Sequence, residues 1–198
     1  MLDFMIEKQS VWENLKSTAK PIVLYGMGNG ADKILDWCEA NGVCVRGVFA
    51  SDEFVRGQQF RGFTVERYAA VKERLGQELL VVIAFASELP EVLARFQELA
   101  KEQEVVAPHL PLFDEEETVS LAWLAKYETQ LQQVYDKLAD DWSRKVFACT
   151  LNYKLSGKIS YLFACETQRE QDIAELIKPA SDEVYMDLGA YNGDTIQE

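Results

Sequence analysis

Apolar positions in the first half of the chain come in short unbroken runs, separated by stretches with helical spacing. Residues 2–19 read as an opening helix, and residues 21–25 form an apolar run ending in Gly26, the mark of a buried strand. Ala31, Ile34, Leu35 and Cys38 then fall at i, i+3, i+4 and i+7 on one helical face, and Asn41-Gly42 closes that helix with residues that tolerate a left-handed backbone. Residues 43–50 predict a second strand, 63–65 a short third one, and the following residues a helix through Leu75. The run LLVVIAFA at 79–86 lacks alternation and is rich in branched residues, as a central parallel strand covered on both faces requires. Ser87 is placed to cap the next helix, Pro90 to sit in its first turn, and Val92, Leu93, Phe96, Leu99 and Ala100 to form its buried stripe. A last strand is predicted at 104–107.

Strands alternating with helices imply right-handed crossovers and a parallel sheet. The fold class expected is therefore α/β, a small doubly wound sheet over residues 20–110, with residues 1–110 as the first domain. Pro108-His109-Leu110-Pro111 breaks the pattern and reads as its boundary. Residues 111–180 then read as a helical connector. Asp114 and Glu117 fit a capping box, Tyr127, Leu131, Val134 and Leu138 follow a helical period, a second helix spans 141–155, and a turn follows at Ser156-Gly157. Thr167 and Glu170 fit another capping box, and Pro179 ends that helix. The stripe on the connector needs an apolar partner, either the head or a second copy in a homodimer. Residues 181–198 open a new strand and loop.

With 48% hydrophobic and 27% charged residues, the chain has the composition of a folding globular protein. Its formal net charge of -13 would repel a phosphate backbone, which excludes nucleic acid as the expected partner. The sequence has no apolar run of the ~20 residues needed to cross a bilayer, and its N-terminus lacks the build of a signal peptide, so a cytoplasmic protein without a membrane partner is expected. Cys38, Cys44, Cys149 and Cys165 show no metal-ligand spacing and His109 is the only histidine, so structural thiols and no metal are expected. His109 reads as a loop histidine, and Trp123, Tyr127, Tyr135 and Trp142 as packing residues.

Gly26-Met27-Gly28-Asn29-Gly30-Ala31 satisfies G-x-G-x-x-G/A between a predicted strand and a predicted helix. In that pattern Gly26 permits the tight turn, Gly28 lets a phosphate approach the backbone, and Ala31 lets the helix pack close to the strand. Asp52 stands where a ribose-binding acid is expected, with Glu53 as its substitute. The same turn equally serves a plain strand-to-helix connection whose nucleotide site is degenerate. The segment LYGMGNGADKILDWCEANGVCVRGVFASDE, followed by GQQFRGFTV, resembles the Rossmann-like heads of nucleotide-sugar acyltransferases, dehydratases and other sugar-modifying enzymes. That resemblance implies NAD(P) or a nucleotide-sugar as the ligand class and no particular reaction.

The terminal run from Glu183 to Thr195 places Asp187-Leu188-Gly189-Ala190-Tyr191-Asn192-Gly193-Asp194-Thr195 after an apolar strand. It resembles the opening strand and loop of the FkbM family of S-adenosylmethionine-dependent methyltransferases, whose pattern is Asp-x-Gly-Ala-x-x-Gly-Asp-Thr. The stretches 152–155 and 160–162 also resemble the entry to that family's catalytic domain. The resemblance implies S-adenosylmethionine as cofactor, contacts to it from Asp187, Gly189, Ala190, Gly193 and Asp194, and a sugar or small metabolite as methyl acceptor. Glycines suit such a loop because they let backbone N–H groups approach a ligand. The chain stops inside the loop, so the expectation is the N-terminal part of an O-methyltransferase, inactive by itself, with no catalytic residue nominated. The alternative is a non-catalytic module that binds a nucleotide-sugar or dinucleotide.

Overall fold

A strand buried on both faces must be apolar at every position, and β1 (Ile22–Tyr25) is: none of its residues is more than 4% exposed. The computed structural model describes residues 2–111 and 117–178, with isolated positions beyond as far as 188. β1 pairs in parallel with β2 (Val45–Ala50) on one side and β5 (Leu80–Ile83) on the other. β4 (Phe63–Arg67) extends the sheet beyond β2, and β6 (Glu104–Val106) extends it beyond β5, again in parallel. β3 (Gln59–Phe60) runs antiparallel to β4 at the edge, giving the order β3-β4-β2-β1-β5-β6. The chain thus winds outward from β1 in both directions. This is the expected doubly wound, Rossmann-like α/β fold.

Helices cover both faces because each face carries its own apolar set. Leu24, Val48 and Val82 pack under α1 (Val11–Ser17) and α2 (Asn29–Ala40), which contribute Leu15 and Ile34. Val23, Phe49 and Val81 on the other face meet Val71 of α3 (Tyr68–Leu75) and Phe96 of α4 (Pro90–Glu102). The hairpin joining β3 to β4 was not predicted. Arg61 and Gly62 both adopt positive φ, 51° and 83°, the requirement of a tight two-residue hairpin turn.

Several expected elements are corrected. The opening helix covers only Val11–Ser17, because Ser10 and Glu13 form a capping box that starts it there. The residues before it run along α7 (Asp141–Ser156), burying Leu2 and Met5 against Leu124, Leu151 and Leu155. Their backbone groups are met by buried Asn152, which accepts from the N–H groups of Ile6 (2.8 Å) and Glu7 (3.0 Å) and donates to the carbonyl of Phe4 (2.9 Å). β5 is shorter than 79–86, since the chain leaves the sheet after Ala84 donates to the Tyr25 carbonyl. Ser87 does not cap α4. The cap position is Leu89, and the Ser87 hydroxyl accepts from the Leu89 N–H in the preceding turn.

The helical segment likewise differs in register. α5 (Leu121–Lys126) starts at Ser120, whose hydroxyl accepts from the Trp123 N–H at 3.1 Å. Asp114 lies outside the described residues, and Glu117 binds Lys126 and the Tyr127 hydroxyl. Tyr127 separates α5 from α6 (Glu128–Lys137), and this break displaces the predicted stripe. Leu131 packs inward, whereas Val134 is 47% exposed and Tyr135 instead stacks on Phe4 at 4.3 Å. α7 is capped by Asp140 and ends at left-handed Gly157, within the turn that the sequence predicts at Ser156-Gly157. After α7 the chain returns to the sheet: Ala107 donates to the Gly157 carbonyl at 2.7 Å, and Ile159, just before α8 (Ser160–Phe163), is buried beneath α4.

Met1–Cys165 form one compact unit and Glu166–Glu198 a second. In the second, α9 (Arg169–Asp172) leads into a π-helical turn, Ile173–Ile177. The Glu170 side chain, Pro179, Ser181 and Glu183 lie outside the described residues.

One polar cluster ties α1 to the sheet edge and gives stability a pH dependence. Glu104 of β6 accepts from Lys20 and Asn14, both at 2.8 Å. Burial pushes its pKa up, but the hydrogen bonds from Lys20 and Asn14 outweigh burial and hold it below the ordinary 4.5. A carboxylate whose folded pKa lies below its unfolded one stabilises the fold above the unfolded value and loses that contribution as pH falls through the folded one. Thermal melts of the wild type and Glu104→Gln should therefore differ most near neutrality. The gap should close as pH drops below 4.5; a gap constant from neutral to acid pH would contradict this assignment.

Candidate ligand-binding site

In a doubly wound sheet the crevice opens where consecutive crossovers leave a strand in opposite directions, at the carboxyl ends of the strands. Here that point lies between β1 and β5, and the first glycine loop stands over it. The crevice encloses about 410 Å³, within the ~300–1,000 Å³ typical of ligand sites. Met27, Asn29, Gly30 and Lys33 line one side, and the segment 107–111 with Tyr153 lines the other.

The loop glycines are used differently from one another. Gly26 has φ +109°, and a Cβ there would lie 2.4 Å from the ring of Phe85, so the residue both turns the chain and gives Phe85 room. Phe85 packs edge-on against Tyr25, their centroids 5.2 Å apart. Gly28 is the N-cap of α2 with φ +111°, and nothing lies within 4 Å of the position a Cβ would take. The first turn of α2 has no side-chain cap, so its N–H groups are available to an anion at the positive end of the helix dipole. Ala31 is fully buried, as close helix packing demands. Gly30, to which the loop pattern assigns no role, makes the closest approach: a Cβ there would lie 2.2 Å from the Ala84 carbonyl oxygen. Its signal was its place in the first turn after the loop, where strand and helix diverge least.

Two further residues were not anticipated. Lys33, one turn into α2, donates to the Pro111 carbonyl at 2.8 Å and fixes the far wall of the crevice. Tyr153 of α7 also lines it, and burial raises the pKa of its hydroxyl. His109 lines the same crevice.

Asp52 and Glu53 lie elsewhere. They start a single 3-10 turn after β2 and line a second cavity of about 270 Å³, together with Tyr25, Phe49, Ser51, Tyr68 and Arg95. The structure therefore brings Gly30 to one cavity, with Gly28 next to its lining residues Met27 and Asn29, and Asp52 to another. Asp187, Gly189, Ala190, Gly193 and Asp194 lie outside the described residues.

Of the aromatic residues singled out in the helical segment, Trp123 lies 5.0 Å from Tyr127, Tyr135 stacks on Phe4, and Lys145 sits over Trp142 at 4.5 Å. All four cysteines are free thiols, and burial pushes that of Cys38 up to about 11. Among the described residues, no group of three or more His, Cys, Asp or Glu could hold a metal, and no helix is long and apolar enough to cross a membrane. No family model, no curated protein and no solved structure matches this chain.

Proposed function

We propose that the α/β unit is a ligand-binding head that takes the anionic part of a nucleotide-type ligand, a nucleotide-sugar or dinucleotide, in the crevice between β1 and β5. The observation that carries this reading is Gly28, left-handed and open, set before an uncapped helix start that faces a crevice of ligand size. Phosphate oxygens would accept from the first N–H groups of α2, where the helix dipole favours negative charge. The walls at 107–111 and Tyr153 would enclose the remainder of the ligand. Methyl transfer from S-adenosylmethionine to a sugar or small metabolite is the activity that the terminal Asp187-to-Thr195 motif supports by resemblance.

Calorimetric titration of NAD, NADP and nucleotide-sugars tests the head. Binding tighter than millimolar is expected for at least one of them. Asn29→Asp should weaken it about tenfold by placing a negative charge beside the anion. It should also leave the fold intact, because an acid in the first helical turn stabilises a helix by ~0.3–1 kcal/mol. Gly28→Val should abolish binding, at ~1–3 kcal/mol of backbone strain. A folded wild type that binds none of these ligands would show that the glycine turn is only a connection.

A further inference from the structure

The second cavity contains an arginine whose hydrogen-bonding capacity is only partly used. Arg95 reaches from α4 to the carboxyl ends of β1 and β2. Its Nη1 donates to the Ser51 hydroxyl, to the Tyr25 hydroxyl at 3.4 Å and to Glu53 at 3.2 Å. Tyr25 and Ser51 also hydrogen-bond each other at 2.7 Å, and Tyr25 is 2% exposed, so the anchor itself is rigid. Among the described residues, every hydrogen bond of this guanidinium is made through Nη1. A guanidinium presents its donors as a planar fork, and the Nη2–Nε edge matches the two oxygens of a carboxylate or a phosphate.

The surroundings choose between those anions. Asp52 and Glu53 line the same cavity, so one cation faces two carboxylates. A dianionic phosphate ester would add two negative charges there, whereas a carboxylate adds one. The rest of the lining is aromatic and aliphatic: Tyr25 stacks on Phe49 at 4.7 Å, Tyr68 continues the cluster at 5.3 Å, and Ala50 and Leu99 complete it. Such a surface suits a flat apolar body, which can extend the aromatic packing.

We propose that this cavity binds a small organic carboxylate with a flat apolar body, its carboxylate held bidentately by the Nη2–Nε edge of Arg95 and its body set against Tyr68. Glu53 then acts as a weak internal competitor for Arg95, because an exposed ion pair contributes little and is readily exchanged.

The test uses the whole chain and three probes, sodium benzoate, neutral benzamide and inorganic phosphate, followed by NMR shifts of Ser51, Tyr68 and the Arg95 side chain. Benzoate should shift these resonances and bind about tenfold tighter than either benzamide or phosphate, since only it joins a single charge to an apolar ring. Arg95→Lys should lose about tenfold in benzoate affinity, because an ammonium lacks the fork. Glu53→Gln should gain severalfold by removing the competitor. Equal binding of benzoate and benzamide, tighter binding of phosphate, or no millimolar binding of benzoate would each overturn the proposal. If Arg95→Lys does not fold, the benzamide comparison and Glu53→Gln still decide. Asn29→Asp, at the other cavity, should leave benzoate affinity unchanged, so failure here is distinguishable from failure of the nucleotide site.

Discussion

Asn152→Leu is expected to lower unfolding free energy by about 2–4 kcal/mol, the largest loss from any single side chain considered. The carboxamide is 1% exposed and connects positions nearly 150 residues apart in sequence, accepting two N–H groups and donating to the Phe4 carbonyl and, at 2.8 Å, to that of Ala148. Leucine matches its size but leaves the N–H groups of Ile6 and Glu7 and the Phe4 carbonyl without this partner. An unmet buried backbone group costs ~1–3 kcal/mol, and partial hydration of Ile6, whose side chain is exposed, sets the sum below three full penalties. Urea unfolding measures it: the midpoint should fall while the slope stays close to that of the wild type. A loss under about 1 kcal/mol would mean that the N-terminal segment is held by Leu2 and Met5 alone.

Gly30→Ala should destabilise by about 2–3 kcal/mol, against the direction that helix propensity gives. In an exposed helix interior this change gains ~1 kcal/mol, because alanine loses less backbone freedom on folding. Here the added methyl would lie 2.2 Å from the Ala84 carbonyl oxygen, far inside contact distance, and the obstacle is backbone at the end of a buried strand. Either α2 or the end of β5 must move. Movement of α2 would open the crevice, so nucleotide affinity should fall together with stability. Equilibrium unfolding and a crystal structure of the variant check both consequences. A variant as stable as the wild type would show that the helix start can shift without loss.

Much of the candidate crevice was legible in the sequence, because its geometry follows from local backbone requirements. A strand of four apolar residues followed by Gly26-Met27-Gly28 permits a turn with two positive φ angles before a helix. The role of Gly30 was not legible, since it depends on the carbonyl of Ala84, some fifty residues away. Asp52 was placed correctly after β2, but distance along the chain says nothing about which cavity the following turn faces. The Ser10-to-Glu13 capping box is a local signal for the true start of α1, whereas the apolar residues before it are explained by burial against α7.

By itself the sequence determined the alternation of strands and helices, the central place of the run at 79–86, the turn at Ser156-Gly157 and the glycine turn. These are set by side-chain periodicity and by φ angles that few residues tolerate, both local properties. Only the tertiary structure decided that the carboxyl edge of the sheet divides into two cavities, with Phe85 seated against Gly26 near their boundary. It alone brought Arg95 to Ser51 and Tyr25, and Asn152 to the first residues of the chain. Such contacts join residues distant in sequence, so they arise from packing two helical layers on one twisted sheet, and no local pattern encodes them.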